Sequence, residues 1–188
     1  AVLAESDFLP HEGIDQLYEQ QIEFNYLLDD YLFNGKVKVD GCHLLIEQQS
    51  YNTLLIPKSY GQTQKVQELL QSFEEAGGKI IIFDDFFEEA ILDSLKNNHV
   101  SGLKIVGQGV ENIRMSTITK DQKKFYALSN EGFEVIDLEL VFINPTNSFE
   151  VWDPLKGTIE AYQTKDSTSA LRLKGNEFVF ISETEGKG

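Results

Sequence analysis

The chain has 188 residues, 41% of them hydrophobic, with 31 acidic against 16 basic side chains and a formal net charge of −15. That length admits one large domain or two small ones and buries a core without staples. The acidic excess is scattered along the chain and repels phosphate backbones and anionic lipid, which argues against nucleic-acid and membrane-surface binding.

Cys42 is the only cysteine, so neither an intrachain disulfide nor a cysteine-rich zinc site can form. No apolar run approaches the ~20 residues of a membrane span. The N-terminal AVLAESDFLPHEG has no basic region or signal-like core. It also lacks a starting methionine, and the chain reads as a processed or excised piece of something longer. The compartment stays open, with the cytoplasm the nearer reading.

In residues 14–33 (IDQLYEQQIEFNYLLDDYLF), Ile14, Leu17, Tyr18 and Ile22 recur at helical spacing, and EFNYL then suits a short strand. Asp29 and Asp30 precede Tyr31, Leu32 and Phe33 as a capped helical turn closed by Asn34-Gly35. Strands follow at about 36–40, 43–48 and 52–56. The clearest unit comes next. YNTLLIP is a buried-type strand, and QTQKVQELLQSFEEA (62–76) places Val66, Leu69, Leu70 and Phe73 on one helical face. Gly77-Gly78 stops that helix, and KIIIF is a second buried strand. This β-α-β segment predicts an open, mostly parallel α/β sheet. DDFFEEAILDSLKNN then reads as a helix with Phe87, Ile91, Leu92 and Leu95 on one side, followed by a short strand, LKIVG.

From about residue 110 the helical period gives way to short runs separated by turn residues: IRMSTIT, KFYAL, VIDLELVFI, FEVW, TIEAYQ, ALRL and EFVFIS. That spacing predicts an antiparallel β-sandwich. The expected fold class is therefore α/β plus all-β: a flavodoxin-like open parallel sheet with flanking helices over 14–110, then a small sandwich over 111–188. The boundary falls in the loosened stretch 108–124.

Within FEVWDPLKGTIEAY (149–162), Asp153-Pro154-Leu155-Lys156-Gly157 has the residues of a tight turn, so the stretch is a hairpin. Apolar matching pairs Val151 with Ile159 and Phe149 with Ala161. That register leaves Trp152, Glu150, Glu160 and Tyr162 on the other face. Trp152 there either packs on a neighbouring domain or, with Tyr162 and Tyr126, forms a sugar-stacking platform.

Cys42-His43 has nucleophile and base side by side, but on a strand the two point to opposite faces, and Cys42 is expected as a packed thiol. His11 and His99 have no metal-ligand spacing. Asp84 and Asp85 follow KIIIF at the carboxyl end of a parallel strand, where they either cap the next helix or hold Mg²⁺. Gly77-Gly78 lies at a helix C-terminus, where no phosphate cradle forms, and Gly102, Gly107 and Gly109 precede no clear helix. No catalytic residue, metal or cofactor is assigned.

The run KVKVDGCHLLIEQQSYNTLLIPKSYGQTQKVQELLQSFEEAGGKIIIF resembles the glutamine-amidotransferase-like, flavodoxin-like accessory domain of large glycoside hydrolases of the α-L-rhamnosidase and β-galactosidase type. The second half is similar to the β-sandwich of the same enzymes. Phe125-Tyr126-Ala127-Leu128-Ser129-Asn130-Glu131, Trp152-Asp153-Pro154-Leu155-Lys156-Gly157 and Leu171-Arg172-Leu173 carry the likeness. The resemblance implies catalytic groups on a separate (β/α)₈ barrel of about 250 residues, which this chain is too short to contain. The G-x-C-x-G elbow of an active amidotransferase is missing. The resemblance thus implies a non-catalytic accessory region whose partner is the barrel of the same or a longer chain, with a homo-oligomer and a carbohydrate as further partners to weigh. The alternatives are a free-standing carbohydrate-binding module using Trp152 and Tyr162, and a small Mg²⁺-binding α/β protein using Asp84 and Asp85.

Overall fold

The computed structural model describes residues 1–5, 9–10, 13–61, 63–84, 86–98 and 102–184. His11, Asp85 and His99 lie outside the described residues. The chain forms two compact units, Ala1–Gln16 with Phe24–Glu88 and Leu17–Glu23 with Glu89–Gly188.

In chain order the first unit contains β1 (Val2–Ala4), the start of α1 (Ile14–Glu19), β2 (Tyr26–Leu28), α2 (Asp29–Phe33), β3 (Val37–Asp40), β4 (His43–Ile46), β5 (Gln49–Tyr51), β6 (Thr53–Pro57), α3 (Gln64–Glu75) and β7 (Lys79–Phe83). Four parallel strands run in the order β2-β1-β6-β7, and β3-β4-β5 make a separate antiparallel sheet. The β-α-β segment is present as β6-α3-β7, with Leu54 opposite Ile80 and Ile56 opposite Ile82. β1 has no signature in the sequence, because three residues carry no readable alternation. It pairs with both β2 and β6, and Val2 and Leu3 are wholly buried.

α3 starts where Thr63 Oγ1 accepts the Val66 N–H at 3.4 Å, which satisfies one of the helix's orphan donors. It buries Val66, Leu70 and Phe73. It ends with Gly77 N–H on Glu74 O and Gly78 N–H on Phe73 O, both 2.9 Å, while Gly77 adopts φ +90°. These paired bonds satisfy the last carbonyls, and the positive φ explains the glycine. Below the sheet, the Gln16 amide holds both backbone groups of Phe87, at 3.4 and 2.6 Å, and the Phe87 ring stacks on Phe83 at 4.6 Å. Phe87 therefore precedes the next helix rather than belonging to its face.

Among its described residues the second unit contains residues 17–23, α4 (Glu89–Asn98) and eight strands: β8 (Leu103–Val106), β9 (Ile113–Lys120), β10 (Lys123–Asn130), β11 (Ile136–Phe142), β12 (Ser148–Asp153), β13 (Thr158–Gln163), β14 (Thr168–Leu173) and β15 (Phe178–Glu183). They form a five-stranded sheet, β13-β12-β15-β10-β9, and a three-stranded sheet, β14-β11-β8. The strand LKIVG is β8, and it pairs antiparallel with β11, Ile105 opposite Leu140. One core joins the two inner faces, with Leu138, Leu140 and Leu171 from the smaller sheet and Tyr126, Phe149 and Ile181 from the larger. Mixed α/β architecture with a parallel sheet, followed by a β-sandwich, is thus the observed fold.

The edge strand β9 does not offer a bare ladder. Gln21 Nε2 donates to Val110 O and Ile113 O at 3.0 and 3.2 Å, and the Glu23 carboxylate accepts the Thr117 N–H. Side chains from residues 17–23 thereby occupy groups that would otherwise invite another strand.

A β-carbon added at Gly78 would lie 2.1 Å from the ring of Phe73, which is fully buried. Gly78→Ala is expected to cost about 1–3 kcal/mol through overpacking. Urea denaturation with an unchanged midpoint would show that the ring moves aside freely.

Candidate functional site

The parallel sheet reverses its strand order between β1 and β6, and ligands of open α/β sheets gather at the carboxyl ends of such strands. A cavity of about 100 Å³ lies there, lined by Leu3, Ala4, Glu5, Pro10, Pro57, Ser59 and Tyr60. Small-molecule sites run to roughly 300 Å³ or more, so this crevice is too small for a sugar substrate. Asp84, at the end of β7, forms an ion pair with Lys58 at 2.8 Å, both side chains being exposed. α4 begins at Glu89, so the expected capping by Asp84 is corrected: the chain makes a bend and then holds Phe87 before any helix forms. Among the described residues no three His, Cys, Asp or Glu side chains gather as metal ligands.

Cys42 is also corrected. It is exposed in the β3–β4 turn rather than packed on a strand, and its Sγ lies 3.5 Å from His43 Nδ1. The alternation rule that separates neighbouring side chains does not apply in a turn.

The hairpin of β12 and β13 is present, but its register differs by one residue from that set by apolar matching. Asp153 is opposite Thr158, Trp152 opposite Ile159, Val151 opposite Glu160 and Phe149 opposite Tyr162. The turn decides this. Asp153 Oδ1 accepts the N–H groups of Leu155 and Lys156 at 3.0 and 2.9 Å, and Gly157 N–H closes on Asp153 O at 2.8 Å with φ +66°. Four residues therefore fill the loop, and an exposed edge strand such as β13 has too little buried surface to override it.

The corrected register separates the proposed platform. Tyr162 lies on the inner side, stacked on Phe149 at 5.2 Å, whereas Trp152 lies on the outer side. Tyr126 is wholly buried, and its hydroxyl donates to Glu183 at 2.7 Å. Burial, then the Glu183 carboxylate, pushes that phenol above its ordinary pKa. The three rings do not share a surface.

Trp152 has other companions. Following the pairings across the sheet, Ile159, Trp152, Phe180, Ala127 and Ser116 form one outward row, and Ala161, Glu150, Ser182, Phe125 and Ile118 form the next. Phe178 begins a third row with Ser129 and Arg114. Phe125 meets Trp152 edge-on at 5.5 Å, and Phe178 meets Phe180 edge-on at 4.9 Å. The indole N–H is satisfied by Glu150 at 2.9 Å. Ile159 and Ile118 at the two sides are 57% and 43% exposed. The outer face of the three-stranded sheet is the opposite in character: Asp137, Glu139, Lys104 and Arg172 are exposed there, and Arg172 grips Asp137 with two bonds of 2.6 and 3.0 Å.

The motifs of the second half meet at one end of the sandwich. Buried Asn130 donates through Nδ2 to Glu134 O (2.9 Å), Lys174 O (3.1 Å) and Leu173 O (3.4 Å), and its Oδ1 accepts the Gly132 N–H at 3.0 Å. Lys156 Nζ bridges Asp153 and Glu177, and Glu177 accepts the Lys174 N–H at 2.8 Å. Asn130, Asp153 and Lys156 thus position loops.

No protein-family model matches the sequence, and no curated protein does. Among solved structures, the chain is similar to a rhamnosidase from Novosphingobium sp. PP1Y, at 17% identity and a TM-score of 0.59, with 85% of this chain matched to 19% of that one. It is also similar to apo exo-carrageenase GH42 from Bacteroides ovatus, at 12% identity and a TM-score of 0.51, over 92% of this chain and 26% of that one. Its fold is one that glycoside hydrolase chains contain. The chain spans about a fifth and about a quarter of the length of these two proteins.

Two outcomes follow for the loop end. Asn130→Ala, or Asn130→Asp, which keeps the shape but removes the donor, takes a buried donor away from the carbonyls of Glu134, Leu173 and Lys174 and is expected to cost about 1–3 kcal/mol. A melting curve unchanged in both variants would refute this role. The Lys156 ammonium, by its side-chain bond, holds the Asp153 carboxyl below the usual carboxylate range. A lowered folded-state pKa stabilises fully above the unfolded value, about 4, and that contribution fades as pH falls through the lowered value. Asp153→Asn should therefore be less stable near neutrality and show a shallower acid limb than the parent. Parallel limbs from pH 7 downward would remove Asp153 from the account.

Proposed function

We propose that this chain is a non-catalytic accessory region of a carbohydrate-active glycoside hydrolase, serving domain packing. The observation that carries this reading is the match of its two-unit fold, over 85% of the chain, to a fifth of a rhamnosidase. In this reading the first unit is the glutamine-amidotransferase-like element. Its strand order, in which the second parallel strand lies outside the first and the later two follow on the other side, agrees with the flavodoxin-like pattern. The partner is the catalytic barrel of the same or a longer polypeptide.

The placement of the reactive side chains supports the reading. Cys42 is in an exposed turn, Asp84 is bound to Lys58, and the motif residues Asn130 and Asp153 are spent on loops. None of them faces the small crevice beside β1. A catalytic constellation needs nucleophile, base and orienting group within hydrogen-bond reach of one another.

The isolated chain is expected to release no nitrophenol from a panel of aryl glycosides that includes the α-L-rhamnoside and the β-D-galactoside. Turnover that persists through purification to homogeneity would overturn the non-catalytic role.

A further inference from the structure

The outer face of the five-stranded sheet carries Trp152, Phe125, Phe178 and Phe180, flanked by exposed Ile159 and Ile118. Solvated sheet faces alternate to polar residues, as the outer face of β11 does with Asp137 and Glu139. Contiguous apolar surface of this kind marks an interaction site. We propose that this face seats a neighbouring domain of the same, longer polypeptide, one that presents an apolar patch. The proposal rests on the reading of the chain as part of a larger hydrolase.

Area and charge select this occupant. Five strands about 4.8 Å apart and about six residues of roughly 3.3 Å each give a face of about 400 Å², so covering it removes about 800 Å² in total. That lies within the roughly 600–1,500 Å² of interfaces between domains of one chain. It falls short of the roughly 1,200 Å² at which separate molecules associate stably. A second copy would also bring a formal charge of −15 against another −15. A covalently linked partner escapes the entropy of association and needs only a surface of matching shape. The face itself contributes Glu150, turned to the Trp152 indole, which anchors the ring's orientation, and its β9–β10 edge carries Arg114, Lys120 and Lys123.

Hydroxyl-radical footprinting tests this, comparing the isolated chain with the longer polypeptide encoded with it. Trp152, Phe178 and Phe180 are expected to be labelled several-fold more slowly in the longer protein. Trp152→Lys with Phe180→Lys should restore isolated-chain labelling of Phe125 and Phe178 there, while the near-UV circular dichroism of the isolated double variant confirms that the sandwich still folds. Equal labelling in a longer polypeptide that hydrolyses glycosides sinks the docking surface and leaves the accessory reading intact. A sedimenting dimer of the isolated chain that Trp152→Lys dissociates would hand the face to a second copy and overturn the proposal. A gene that encodes no further domain removes the accessory reading and this occupant together.

Discussion

Apolar side chains on both faces of one sheet are the constraint that sets this sandwich apart. Strands β10, β12 and β15 each send one set of side chains into the sandwich core, among them Tyr126, Phe149 and Ile181, and another set, Phe125, Trp152 and Phe180, to the far side. A half-exposed antiparallel sheet needs apolar residues on one face only. The three-stranded sheet obeys that economy: β11 alternates Ile136, Leu138 and Leu140 with Asp137 and Glu139. The five-stranded sheet does not. The contrast between the two outer faces of one sandwich is what turns a fold description into a statement about function.

The residues that look most like a signature turn out to be structural for a specific reason. Loops at the end of a sandwich expose backbone carbonyls that no ladder can satisfy. Asn130, fully buried, donates to the carbonyls of Glu134, Leu173 and Lys174, and Asp153 accepts two N–H groups of the β12–β13 loop. Lys156 then links that loop to Glu177, which itself holds Lys174. The motifs Asn130-Glu131 and Trp152 to Gly157 meet in space through hydrogen bonds among loops, and Gly157 is present because its φ of +66° suits no β-branched residue. Conspicuous spacing in a sequence can record the closing of loops as readily as the chemistry of a substrate.

The first unit rests on an equally local device. The turn after α3 is closed by two backbone bonds at Gly77 and Gly78, and the absence of a side chain at Gly78 lets the Phe73 ring lie against the backbone. That close approach aims β7 back alongside β6 as a parallel neighbour. At the carboxyl ends of β6 and β7, Lys58 and Asp84 form a surface pair worth at most about 1 kcal/mol. The geometry sets strand direction.

Much of this was readable from residue order. The period of Val66, Leu70 and Phe73, the Gly77-Gly78 stop and the flanking apolar runs determined β6-α3-β7, because helix period and chain termination are local properties. The succession of short runs after residue 110 determined a sandwich. The apolar outer face was not read from these runs, although FVFI in β15 and FYAL in β10 are apolar at consecutive positions rather than alternating. Tertiary structure alone decided the rest. β1 became a central strand through partners distant in the chain, the β12–β13 register followed turn hydrogen bonds rather than side-chain matching, and Trp152 and Tyr162 parted to opposite faces as a result. A one-residue change of register inverts every side chain, and the bonds that choose between two registers form only when the turn closes in three dimensions.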